Sequence, residues 1–338
     1  MKYFPRTRKN FTNRWTMEGT IQGTGVPGDE EAGLATRAAW LYFAGGLTQS
    51  AVADRLGVAP AKAHRLISRA SKAGFVRVFV EGPIGGCIAL EETLSARYRL
   101  TTCRVVPDLG ETGLPLRALG LAAASLLREA LERGTHRVIG VGHGRTLAAA
   151  IDALPATPAP HVRLVSLQGG VPRRTNSGPF DVTHRAAEKT GAEAFLLAVP
   201  TIADTAADAV VLRRQRGVAQ TLALAAEATL VLAGVGAIAE SAFLPMAGML
   251  TAEELQALRA AGAAGELLGR YVDAAGREVT TDLHDRVIAV HPALLRGVVA
   301  VAGGTEKTTA IGAVLNSGML AGLITDEPTA RRLVDLSA

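Results

Sequence analysis

The sequence predicts an α/β protein in two parts: an amino-terminal winged helix-turn-helix and a larger, mainly parallel α/β domain wound on both faces. Three observations carry this. Residues 1–80 hold 12 Lys/Arg against 5 Asp/Glu, whereas the remaining 258 hold 24 against 26, so a basic head joins a near-neutral body. The stretch TQSAVADRLGVAPAKAHRLISRASKAGFVRVFV then reads as helix, tight turn, basic helix and strand. Beyond it, short apolar strands alternate with helices to the end of the chain, the pattern of a parallel sheet covered on both sides.

Composition narrows the function classes. At 338 residues, 48% hydrophobic and 20% charged, the chain has the balance of a folded protein with room for two domains. No apolar run reaches the roughly 20 residues of a membrane helix, and no apolar segment follows the basic amino terminus. Cys87 and Cys103 are the only cysteines, too few for a disulfide framework or a zinc set. The expectation is a cytoplasmic protein with no membrane partner and no cofactor.

Residues 1–35, with Gly19, Gly23, Gly25, Pro27 and Gly28 among polar residues, are expected to form a flexible extension. The helix-turn-helix is expected over 36–82. RAAWLYFAGG reads as a short helix stopped by Gly45 and Gly46. Thr48 is a natural N-cap for a helix burying Ala51, Val52 and Leu56, and Gly57 ends it in the conformation a sharp turn needs. Pro60 suits the first turn of the next helix, whose Ala63, Leu66, Ile67 and Ala70 recur at helical spacing. Lys62, Arg65, Arg69 and Lys72 fall on the opposite arc, Gly74 closes the helix, and FVRVFV alternates as a wing strand should. On a DNA-binding reading Lys62, His64 and Arg65 reach base edges, while Gln49, Arg69 and Arg77 touch phosphate. The alternative is a pair of ordinary bundle helices with a solvated basic face.

Residues 83–338 are expected to hold a linking helix and an effector-binding domain. EGPIGG reads as a hinge, LEETLSARYRL as the linking helix and CRVVP as the first strand. Strands follow at RVIGVG, VRLVSLQGG, AFLLAVP, TLVLAGVG, RVIAV, VVAVAGG and LAGLIT, with helices between them. In such a Rossmann-like sheet, ligands collect where strands lead into helices. Four of those loops are glycine-rich. VGHGRT offers Gly142 and Gly144 for close backbone approach, with Arg145 and Thr146 able to meet an anion. SLQGGVPRRTN brings Gln168, Gly169 and Gly170 ahead of Asn176, and AGVG brings Gly234 and Gly236. VAGGTEKTT places Gly303 and Gly304 before Lys307; its spacing excludes a Walker phosphate loop, because Glu306 precedes the lysine. Lys307 is either an anion ligand at a helix start or a surface lysine paired with Glu306. His143, His161, His184, His284 and His291 are scattered without a nucleophile at recognisable spacing, so no catalytic residues or metal ligands are named.

The order helix-turn-helix, GVGHGRTL, SLQGG, DRVIAV and VAGGTEKTTAIGAVLNSGMLAGLITDE resembles the SorC/DeoR-type sugar-binding transcriptional regulators over roughly residues 36–338. That resemblance implies double-stranded operator DNA as one partner and a sugar or sugar phosphate as the effector. It implies an effector domain like that of sugar-phosphate isomerases and deaminases, and a homotetramer. It further implies that GHGRT and the Lys307 turn hold the effector's phosphate, and that Gln168, the residues around Asn176 and Glu266 read its hydroxyls. The sequence departs from the family at three places. Ala59 stands where a capping serine is common, Gln168 lies where some members carry an imine-forming lysine, and Glu266 replaces the usual aspartate in GELLGRYVD. Non-covalent effector binding is therefore expected. Two rival readings remain: an isomerase or deaminase with a basic extension, and a DNA-binding module whose second domain only assembles oligomers.

Overall fold

The computed structural model describes residues 27–76, 85–170 and 182–336. The chain divides into two compact units, Met1–Val78 and Phe79–Ala338.

In the first unit, α1 (Pro27–Ala39) runs into a π-helical turn at Trp40–Ala44, followed by α2 (Gln49–Leu56) and α3 (Pro60–Lys72). Residues 27–35 thus belong to a helix rather than to an extension, and Ala35 and Ala38 are buried in this unit's small core. Thr48 caps α2 by accepting from the Ala51 N–H at 3.2 Å, and Gly57 closes it at φ 63°. That left-handed conformation is open to glycine at little cost. Val52 and Ala53 of α2 bury against Ala63, Leu66, Ile67 and Ala70 of α3, while Ala51 and Leu56 are only half-buried. Apart from Phe75 and Val76, the expected wing strand lies outside the described residues, as do Arg77 and most of the EGPIGG hinge.

In the second unit, α4 (Gly85–Tyr98) takes in the last two glycines of that hinge segment and leads to β1 (Thr102–Val106). Then come α5 (Leu116–Arg133), β2 (Val138–Val141), α6 (Arg145–Ala153), β3 (Arg163–Ser166), α7 (Val182–Thr190) and β4 (Glu193–Phe195). The paired helices α8 (Ala206–Arg214) and α9 (Arg216–Ala226) return the chain to β5 (Leu230–Ala233). An excursion follows: β6 (Gly236–Ala237), α10 (Phe243–Met246), α11 (Ala252–Ala260), β7 (Gly265–Leu267), β8 (Arg270–Val272) and α12 (Leu283–Arg286). The fold closes with β9 (Val298–Val301), α13 (Thr308–Asn316), β10 (Gly322–Asp326) and α14 (Glu327–Asp335).

Seven strands form one sheet in the order β1-β10-β9-β5-β2-β3-β4, and every pair is parallel. Period-two alternation divides its residues between two faces. Leu230 and Leu232 join Leu127 of α5 and Ile151 of α6 in one cluster, whereas Val231 and Ala233 join Leu224 of α9 and Leu333 of α14 in the other. The sequence RVIAV is not a strand of this sheet. Arg286 ends α12, and Val287 and Ala289 make only isolated antiparallel bridges, to Ile202 and Gln168. A second, antiparallel sheet, β6-β7-β8, has no counterpart among the sequence expectations.

Candidate functional site

The outer face of α3 carries the first constellation. Lys62, His64 and Arg65 are exposed on it, and Gln49 is exposed at the start of α2. A shallow groove runs along His64, Arg65, Ser68, Arg69 and Lys72. Arg69 also pairs with Glu31 of α1 at 2.5 Å. Its guanidinium is therefore shared with the unit's own surface.

The second constellation lies at the carboxyl ends of the parallel strands. The chain leaves β2 towards β3 on one side, and β5 sits on β2's other side, so the strand order reverses between β2 and β5. Ligands of open α/β sheets collect at such a reversal. Here Gly142 donates to the Leu232 carbonyl at 2.8 Å, and Gly234 packs beside the Thr146 hydroxyl. A cavity of about 70 Å³ opens over this crevice. Its polar wall holds Gly142, His143, Gly144, Arg145, Thr146, Gln168, Thr201, Gly234, Gly236, Glu266, Tyr271 and Lys307. Its apolar lining includes Ile238, Phe243, Leu244 and Leu250, from the excursion after β5.

Several of these polar side chains are held by their neighbours. Lys307 does not pair with Glu306; its Nζ donates to the Val235 carbonyl at 2.8 Å. Burial, with Arg145 nearby, pulls its pKa down to about 8, against the pull of Glu266. Glu266 sits on β7, and its Oε1 accepts from the Gly269 N–H at 2.5 Å. Burial raises its pKa, opposed by that N–H and by Lys307. Gly236 faces it across the β6–β7 pair, where a Cβ would collide with Glu266 Oε2; only glycine leaves the carboxylate its place. Burial lowers His143 to about 4, so the imidazole is neutral at pH 7. Its Nε2 lies in close contact with Gln168 Nε2 and 3.4 Å from the Thr201 hydroxyl, and its ring packs at 5.4 Å from Phe243. Thr146 lies in the first turn of α6, whose first N–H groups point to the cavity end of the crevice.

Of the residues singled out from sequence, Gly142, Gly144, Arg145, Thr146, Gln168, Gly234, Gly236, Glu266 and Lys307 come together here. Gly169 and Gly170 do not line the cavity. Their N–H groups donate to the Ile288 and Val199 carbonyls, and a Cβ on Gly169 would meet the Pro200 and Val199 carbonyls at 2.5 Å. These glycines serve backbone packing. Gly303 likewise makes room for Asp326, whose Oδ1 accepts from the Gly304 N–H at 2.8 Å, so that turn offers no free anion nest. Asn176 lies outside the described residues. Sequence reasoning missed Thr201 and Tyr271. Neither stands in a glycine-rich strand exit or among the residues the family resemblance singled out, the two signals for the pocket.

Comparison with known proteins fits this geometry. A family described as "Putative sugar-binding domain" matches residues 82–335. The Brucella abortus erythritol catabolism regulatory protein EryD is 47% identical over 308 residues, covering 90% of this chain and 98% of EryD. The chain belongs to the SorC/DeoR-type sugar-binding transcriptional regulators. The regulator is also 33% identical to the transcriptional regulator LsrR of an Enterobacter species, over 91% of this chain and 94% of LsrR. Its fold matches the full-length sorbitol operon regulator SorC of Klebsiella pneumoniae, with a TM-score of 0.71 and 24% identity, covering 89% of this chain and 98% of SorC. These relatives are regulators, and the isomerase or deaminase reading finds no support among them. No helix among the described residues is long and apolar enough to cross a membrane.

Proposed function

We propose that this regulator binds operator DNA through α3 and releases or tightens its grip when a sugar, polyol or sugar phosphate fills the cavity at the β2/β5 crevice. The observation that carries the reading is the pairing of two features in one chain. One is a helix with an exposed basic face behind a capped helix and glycine turn; the other is a polar cavity at the reversal point of a parallel sheet. Lys62, His64 and Arg65 contact base edges, and Gln49, Arg69 and Arg77 contact phosphate. In the cavity, the α6 N-terminus with Thr146, Arg145 and Lys307 faces the ligand's most negative end, phosphate if it carries one. Glu266 and Gln168 face its hydroxyls. The name of the 47% identical relative points to a polyol pathway. By the family resemblance the working assembly is a tetramer in the cytoplasm.

Mobility shift of the DNA upstream of the regulator's own gene, at stated salt, tests the DNA half. Lys62→Ala and Arg65→Ala are each expected to cost about 1–3 kcal/mol if they read bases. Unchanged affinity in both variants contradicts the assignment of α3 to the groove.

A further inference from the structure

Lys307 belongs to a continuous run of hydrogen bonds that leads away from the cavity. Its Nζ donates to the Val235 carbonyl, and its backbone N–H donates to the Gly304 carbonyl, both at 2.8 Å. The Gly304 N–H in turn donates to Asp326 Oδ1 at 2.8 Å. Asp326 is buried at the end of β10 and caps α14. Its Oδ1 also accepts from the Thr329 hydroxyl at 2.8 Å, and its Oδ2 accepts from the Thr329 N–H at 3.1 Å. The turn Thr305–Lys307 packs against α14. So does α13, which also packs against β7, the strand that carries Glu266.

Along its length α14 packs beside the linking helix α4. At the amino ends, a Cβ on Gly86 would come within 3.9 Å of Glu327 Oε1. At the carboxyl ends, Arg97 Nη1 donates to the Leu333 and Val334 carbonyls at 3.2 and 3.0 Å. Both carbonyls lie in the last turn of α14, where no helical N–H reaches them, so Arg97 fastens that end of α14 to α4. The chain enters the second unit through α4, its first helix. Coupling between distant sites is carried by packed elements and hydrogen-bond networks of this kind. A ligand oxygen competes with the Val235 carbonyl for the Lys307 ammonium. Beyond Lys307 the next links are backbone groups and a buried carboxylate, so a shift of the turn reaches the α14 cap instead of dying out in a flexible side chain.

We propose that Asp326 and Arg97 are positioning residues for regulation, a role that rests on the effector reading of the cavity. Asp326 passes occupancy of the cavity from the Lys307 turn to α14, and Arg97 passes the displacement of α14 to α4. Neither residue lines the cavity, so both act on the response to the ligand and not on its binding.

Two variants of the full chain test this, Asp326→Asn and Arg97→Ala. Asparagine caps helices as well as aspartate does, but it brings one acceptor oxygen where the carboxylate brings two, so the cap and the Gly304 N–H compete for it. Arg97 is exposed, and its loss leaves the core intact. Anisotropy of labelled upstream DNA gives the DNA Kd with and without saturating erythritol or erythritol 4-phosphate, and calorimetry gives the affinity for each compound. At least one compound is expected to shift the wild-type DNA Kd by about fivefold or more. Each variant is expected to bring that shift below about twofold while ligand affinity and ligand-free DNA affinity stay within about threefold of wild type. Arg97→Lys, which keeps a donor for the two carbonyls, is expected to restore most of the shift. A merely structural role lowers the melting temperature and leaves the full shift in place; that result in either variant overturns the proposal while leaving the cavity as an effector site. If Asp326→Asn does not fold, Arg97→Ala alone decides. A wild-type DNA Kd that neither compound moves overturns the effector reading and the proposal together.

Discussion

Lys307 shows how one side chain can couple ligand charge to pH. Its ammonium is held by the Val235 carbonyl, while burial and Arg145 lower its pKa to about 8. A bound anion favours the charged form, so binding a phosphorylated ligand should take up protons near that pH. Affinity for erythritol 4-phosphate is expected to fall as pH rises through about 8, whereas affinity for erythritol changes little; titrations in buffers of different ionisation enthalpy read both. His143 and His284 act on stability instead. Both are pulled down to about 4, largely by burial. A folded-state pKa below the unfolded value means that the unfolded chain binds protons first as pH falls. Stability is therefore expected to drop between about pH 6.5 and pH 4, and His143→Gln should flatten part of that drop in thermal melts. The glycine-rich strand exits made Gly142, Thr146 and Lys307 legible in sequence. Tyr271 was not, because nothing local distinguishes a tyrosine that lines a cavity from one packed in a core.

Among the elements, α2 and α3 carry their instructions locally: a threonine cap, a left-handed glycine and a proline at the first helical turn. A Cβ added at Gly57 would meet nothing within 4 Å, so Gly57→Ala tests backbone strain alone. It is expected to destabilise the amino-terminal unit by about 1 kcal/mol or slightly more and to weaken DNA binding, as denaturation and mobility shift would report. The β6–β7 pair is the opposite case. Strands of two and three residues have no readable period, and Gly236 is required by Glu266, 30 residues away in sequence. Gly236→Ala pushes a methyl into that carboxylate; the expected result is loss of the ligand-induced thermal shift with DNA affinity retained. RVIAV misleads for a related reason. Its apolar alternation is that of a strand, yet the backbone groups around it bond to the loops at Gly169 and Thr201 instead of a sheet neighbour.

For the whole molecule, the parallel sheet and its two-sided core followed from the alternation of apolar strands and helices, because burial on both faces leaves a continuous apolar signature. Strand order did not, and it is strand order that brings the exits of β9, β5, β2 and β3 side by side to make the cavity. The central claim is that occupancy of this cavity and occupancy of DNA are coupled. Coupling needs a ligand with different affinity for two states of the protein, and it is reciprocal. The most direct measurement is fluorescence anisotropy of the labelled upstream DNA, titrated with the regulator at fixed salt, with and without saturating erythritol or erythritol 4-phosphate. At least one of the two ligands is expected to shift the DNA Kd by about fivefold or more, and the shift should vanish in Gly236→Ala. A DNA Kd that stays the same while calorimetry shows either ligand bound in the cavity would contradict the coupling.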